Sequence, residues 1–113
     1  MLIMIISDNE NSEIIRKISK RKISTIVRRT ILAAIDILRH YDLSAIIIDK
    51  ENQQFDALEF VLNIRDIDRR VPIYIPQDIL KNENWKPIKS IGKIISFDND
   101  LLENLISLKQ TDN

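Results

Sequence analysis

Apolar runs rich in β-branched residues recur along this chain and alternate with stretches of helical spacing. Leu2–Ile6 is the first such run. The polar break Ser7-Asp8-Asn9-Glu10 leaves it no room to be a helix, so it reads as a buried strand. Asn11 or Ser12 can cap the helix that follows, because a side-chain oxygen accepts from first-turn N–H groups that lack partners. Ile14, Ile15 and Ile18 form its narrow apolar stripe. Ile23 to Val27 is a second, shorter β-rich run, and Thr30 is placed to cap a helix over Ile31–Tyr41, with Ile31, Ala34, Ile35 and Leu38 at helical spacing. Leu43–Asp49 has no polar alternation and ends on a carboxylate, the pattern of a strand covered on both faces.

Lys50 to Gln54 then reads as a loop and Asp56–Asp68 as a helix, with Ala57, Leu58, Val61, Leu62 and Ile64 facing inward. Val71–Ile75 is the fourth strand, with Pro72 at its second position, where a missing N–H costs least. A short helix fits Asp78–Asn82, and a fifth strand fits Ile91–Phe97. Asp98, Asn99 and Asp100 offer caps for a last helix carrying Leu101, Leu102, Leu105 and Leu108. Residues 1–109 form one domain on this reading, and 110–113 a frayed tail.

Strands alternating with helices predict an α/β three-layer sandwich, a parallel sheet with right-handed crossovers and helices on both faces. The doubly wound order 2-1-3-4-5 sets the C-terminal ends of strands one and three side by side, where such sheets place ligands. Asp8, Glu10 and Asp49 would then share one crevice.

Composition narrows the chemistry. At 113 residues the chain suits a single core. The absence of cysteine removes disulfides and thiolate metal sites, and a single His makes a zinc site an unusual proposition. No apolar run approaches the ~20 residues that cross a bilayer. Met1 leads straight into a strand, without the basic start of a signal peptide, so the expectation is a cytoplasmic protein with no membrane partner. Net charge is zero but uneven: residues 1–50 carry nine Lys/Arg against six Asp/Glu, and residues 51–113 carry eight against eleven. The basic cluster of Arg16, Lys17, Lys20, Arg21, Lys22, Arg28 and Arg29 reads as a solvated face, and a balanced total does not predict nucleic-acid binding. His40 lies at a helix end, where a cation suits the dipole.

From Asp49 to Pro72 the chain resembles, without a gap, the receiver domains of two-component response regulators. An aspartate ends strand three, Asp56-Ala57-Leu58-Glu59-Phe60 stands where that family has Asp-Gly-Leu-Glu-Phe, and Val71-Pro72-Ile73 opens strand four. The resemblance implies a flavodoxin-like, receiver-like fold and makes Asp49 the phospho-acceptor candidate. Asp8 and Asp49 become candidates for Mg²⁺, which would offset the charge that gathers as a carboxylate attacks phosphorus. Carried over position by position, Ser7 stands where the first metal acid is expected, and Gln77 where the family has Thr or Ser. Ser96 or Phe97 replaces the strand-five lysine, and Lys93 falls about three residues too early.

A second resemblance, to the receiver-like N-terminal wing domains of pyridoxal-phosphate-dependent ornithine/lysine/arginine decarboxylases, rests on Val71-Pro72-Ile73-Tyr74 and on Ile91-Gly92-Lys93-Ile94-Ile95-Ser96-Phe97-Asp98. It implies an assembly role, with the cofactor lysine in a later domain. The expectation is therefore a non-catalytic regulatory or protein-interaction domain with an incomplete phosphorylation pocket, and no cofactor unless that pocket holds Mg²⁺. The alternatives are a receiver phosphorylated on Asp49 by a histidine kinase, and a decarboxylase wing. The partner is another protein or a second copy, and the candidate surface runs from Pro76 to Leu108 with Trp85, Leu101 and Leu105.

Overall fold

The computed structural model describes residues 1–21, 23–49, 56–80 and 94–97. Its elements run β1 (Leu2–Ile6), α1 (Glu13–Ser19), β2 (Ser24–Arg28), α2 (Ile31–His40), β3 (Ala45–Ile48), α3 (Ala57–Ile67), β4 (Ile73–Pro76), α4 (Gln77–Leu80) and β5 (Ile94–Phe97). All five strands are parallel, in the order β2-β1-β3-β4-β5. This is the doubly wound, flavodoxin-like α/β arrangement, with β1 and β3 adjacent at the centre.

The sheet is covered on both faces, which is why its strands are apolar throughout instead of alternating. Side chains still alternate in direction along each strand. Met4, Ile6, Ile46, Ile48, Ile73 and Ile75 join one cluster with Ala34 and Leu38 of α2 and Phe60, Val61 and Ile64 of α3. Ile3, Ile5, Ala45, Ile47 and Tyr74 join the opposite cluster with Ile15 and Ile18 of α1. The two clusters are the upper and lower seams of a three-layer sandwich.

Local chemistry sets the helix starts. Ser12, Thr30 and Asp56 hold extended backbone at the N-caps and accept from the N–H groups of Ile15, Ala33 and Glu59. Of the two caps open for α1, Ser12 is the one used. Asn9 instead makes a turn of its own, its side-chain oxygen accepting from Asn11 N–H at 3.0 Å.

Several boundaries differ from those the sequence predicts. Ile23 is buried but precedes β2, which extends instead to Arg28. Leu43 and Asp49 flank β3 and are buried outside it. The fourth strand begins two residues late, at Ile73, and closes on Pro76. Pro72 lies before it and uses its carbonyl, which accepts from Ile46 N–H at 2.9 Å. The short helix α4 starts at Gln77, one residue before the expected Asp78. In α3 the inward face includes Phe60, fully buried, while Leu62 points outward at 45% exposure. Gly92, Trp85, the remainder of the short helix and the whole last helix, with Leu101, Leu102, Leu105 and Leu108, lie outside the described residues.

The turn from α3 into β4 is held by polar groups. Asp68 accepts from Arg70 N–H and Val71 N–H through one carboxylate oxygen, at 2.8 and 3.1 Å. The buried Arg65 guanidinium donates to the carbonyls of Val71 (2.8 Å) and Asp68 (3.2 Å). Burial lowers the Arg65 pKa and the nearby Asp68 charge opposes that shift. Paired with carbonyls, the guanidinium ties the helix end to the strand start beneath the central sheet.

Burial of Tyr74 pushes its phenol above the ordinary value of 10.0. The folded chain then holds that proton more tightly than the unfolded chain, so the stability it contributes is complete below pH 10.0 and is lost as pH rises towards the folded value. Thermal unfolding from about pH 8 to about pH 11 should therefore cost Tyr74→Phe less stability than the wild type. Equal losses would show that the phenol is not protected in the fold.

Candidate functional site

The register that pairs Ile5 with Ile47 and Ile6 with Ile48 carries on past the strand ends. It brings Ser7, just after β1, against Asp49, just after β3. The backbone fixes both: Ser7 N–H donates to the Arg28 carbonyl at 3.0 Å and Asp49 N–H to the Ile6 carbonyl at 2.9 Å. Both side chains point to the α1 side of the sheet, because they continue the alternation of Ile3, Ile5, Ala45 and Ile47.

The two side chains meet. Ser7 Oγ donates to Asp49 Oδ2 at 2.8 Å, with Ser7 fully buried and Asp49 3% exposed. Ser7 Oγ also lies 3.1 Å from the Asn9 carbonyl and accepts from Asn9 N–H at 3.1 Å. One hydroxyl proton cannot serve both acceptors at once. The carboxylate is the stronger and nearer, so Ser7 donates to Asp49 and accepts from Asn9. The loop after β1 is thereby tied to the end of β3 through a single hydroxyl.

The other expected members fall elsewhere. Asp8 and Glu10 are exposed, while Asp49 is buried. Gln77 opens α4 and is exposed. Ser96 pairs with Ile75, and Phe97 with Pro76, in the ladder between β4 and β5. Lys93 lies outside the described residues, as do Trp85, Leu101 and Leu105 of the expected partner surface.

A Mg²⁺ ion demands a near-octahedral set of oxygens and is usually held through one or two carboxylates. Here a neutral hydroxyl stands where the receiver resemblance expects an acid, and it donates to the buried Asp49 carboxylate. Among the described residues no group of three or more His, Cys, Asp or Glu side chains is arranged to hold a metal ion. Ser7 and Asp49 do not by themselves supply that set. Chemically, the pair can anchor two strand ends and keep a carboxylate dry; it does not present a nucleophile to solvent. No buried side-chain nitrogen or oxygen among the described residues lacks a hydrogen-bond partner.

Sequence reasoning singled out Ser7 only as a departure from a pattern. That Ser7 is itself a partner of Asp49 depends on the register of β1 against β3, which no local signal carries. Arg65 went unremarked as well: a charged residue inside a helix reads as surface until the turn that folds back over it is known.

Comparison with family models, with curated proteins and with solved structures finds no match for this chain.

Proposed function

We propose that this chain is a receiver-like regulatory or interaction domain, of the kind used in two-component signalling, that acts through protein contacts in the cytoplasm and not through turnover. The observation behind the proposal is the 2.8 Å hydrogen bond from Ser7 to the buried Asp49. It sits at the position where a receiver would keep a metal-binding acid beside its phospho-acceptor. A phosphoryl-accepting carboxylate needs an approach path and a cation to offset the charge that gathers. Asp49 is instead enclosed and satisfied by a hydroxyl, so its role in this proposal is to join β1 to β3. The partner surface belongs to the stretch from Pro76 to Leu108, which departs most from the receiver pattern.

Incubation with acetyl phosphate and Mg²⁺, followed by intact-mass measurement, tests this directly. The expected result is no phosphoryl adduct on the wild type. An adduct on the wild type that is lost in Asp49→Asn would overturn the proposal and establish a working receiver.

A further inference from the structure

Between Glu13 and Asp36 the sequence holds seven basic residues, from Arg16 to Arg29, and no acidic one. The fold gives that stretch a geometry. β2 ends the sheet order, so among the described residues only its β1 side is paired. Because the Arg28 carbonyl accepts from Ser7 N–H, Arg28, Ile26 and Ser24 turn their backbone groups towards β1. Thr25 and Val27, alternating with them, turn theirs to the open edge. One of these outward groups is covered: the Arg28 guanidinium donates to the Val27 carbonyl at 2.7 Å.

An open strand edge is a template for one more strand. Charge decides which strand it accepts. Lys20 and Arg21 stand exposed before β2, Arg29 stands exposed after it, and Arg28 is half-buried at its end. A second copy added antiparallel would bring the basic residues before one strand against those after the other, like against like, which opposes pairing. A segment with carboxylates at both ends reverses the sign of both contacts.

We propose that β2 is a docking edge for an extended acidic segment of another protein, which adds to the sheet as a sixth strand. The incoming strand donates to the Val27 carbonyl and displaces the Arg28 guanidinium, which turns to the new carboxylate. The Ser24–Arg28 strand spans ~16 Å at ~3.3 Å per residue, so acidic residues about five positions apart reach both basic ends. A peptide fits this edge better than a nucleic acid. The outward groups are backbone donors and acceptors, residues 14–35 contain no aromatic side chain on which bases could stack, and the net charge of the chain is zero. The inference is independent of the Asp49 pocket and stands whether or not that carboxylate is phosphorylated.

The probe is a fluorescein-labelled heptapeptide, Glu-Asp-Val-Thr-Val-Asp-Glu, titrated into the full chain and mapped by amide NMR. Binding should shift the Thr25 and Val27 amides and slow their hydrogen exchange. Arg28→Glu combined with Arg29→Glu should weaken binding about tenfold or more while leaving the thermal unfolding of the chain close to wild type. The same peptide N-methylated at alternate residues keeps its charge but loses the donors that face the strand, and should bind at least about tenfold more weakly. Equal affinity for the methylated peptide, or for one with lysines in place of the acids, would overturn the proposal. So would shifts that map away from β2, absence of binding, or tighter binding at this edge by a single-stranded oligonucleotide of the same charge.

Discussion

Ser7→Asp should destabilise the folded chain by about 3–5 kcal/mol in the absence of a divalent cation. Ser7 Oγ lies 2.8 Å from Asp49 Oδ2 and both residues are buried, so the change sets a second carboxylate against the first in a space closed to water. Two carboxylates that close cannot both ionise without a cation between them, and enclosure makes leaving either one unpaired costly. A loss of that size is a large fraction of the ~5–15 kcal/mol that holds a domain together. The same change sets paired acids beside the exposed Asp8, so millimolar Mg²⁺ should recover stability as it saturates the new site. Urea unfolding of wild type and variant, each with and without Mg²⁺, measures both effects. A variant as stable as wild type without Mg²⁺ would mean that Ser7 and Asp49 are not in tight buried contact. An unstable variant indifferent to Mg²⁺ would mean that this end of the sheet does not accommodate a cation even when given the second acid.

Phe60→Ala should cost about 3–5 kcal/mol, the usual range for removing a buried ring whose neighbours cannot collapse into the void. Phe60 is fully buried in the seam where α2 and α3 meet β1, β3 and β4, among Ile46, Ile48 and Ile73, which are themselves fully enclosed. The cavity would open beneath the central strands, which have little freedom to close it. Leu62→Ala, two residues on, should change stability by less than about 0.5 kcal/mol because Leu62 stands 45% exposed. Chemical denaturation of the two variants decides which way α3 is turned: comparable losses from both would mean that the helix does not present Phe60 to the sheet.

That pair of residues shows how far periodicity reaches. At ~100° per residue, Ala57, Phe60, Val61 and Ile64 share one arc, with Leu58 at its margin and Leu62 beyond it. An inward face read through Leu58 and Leu62 is rotated away from the true one, because leucines on the outer side of a helix look the same in sequence as leucines in the core. Packing settles the rotation by burying the arc around Phe60 in one cluster with Ile46, Ile48 and Ile73. The start of β4 has a similar cause. Val71-Pro72 is apolar and looks like strand, yet Val71 is occupied by the turn in which Asp68 and Arg65 bind its N–H and carbonyl. Ladder pairing therefore begins at Ile73.

The candidate site was legible in place and not in state. A long apolar run ending on Asp49 marks the carboxyl end of a central strand, and the order of strands and helices puts the break after β1 beside it. Whether that carboxylate is open or enclosed turns on where one serine hydroxyl points. Ser7 reaches Asp49 only because β1 and β3 pair in the register that matches Ile6 with Ile48.

By itself, then, the sequence determined the alternation of strands and helices, the buried character of the sheet, a cap at Thr30 with Asn11 or Ser12 open for α1, and the parallel order 2-1-3-4-5. These follow from short-range spacing and from chain connectivity, both of which are written along the chain. Tertiary structure alone decided the facing of α3, the burial of Arg65 and the closure of Asp49 by Ser7. Each of those depends on two segments distant in sequence meeting at one distance and one angle, and only packing sets that.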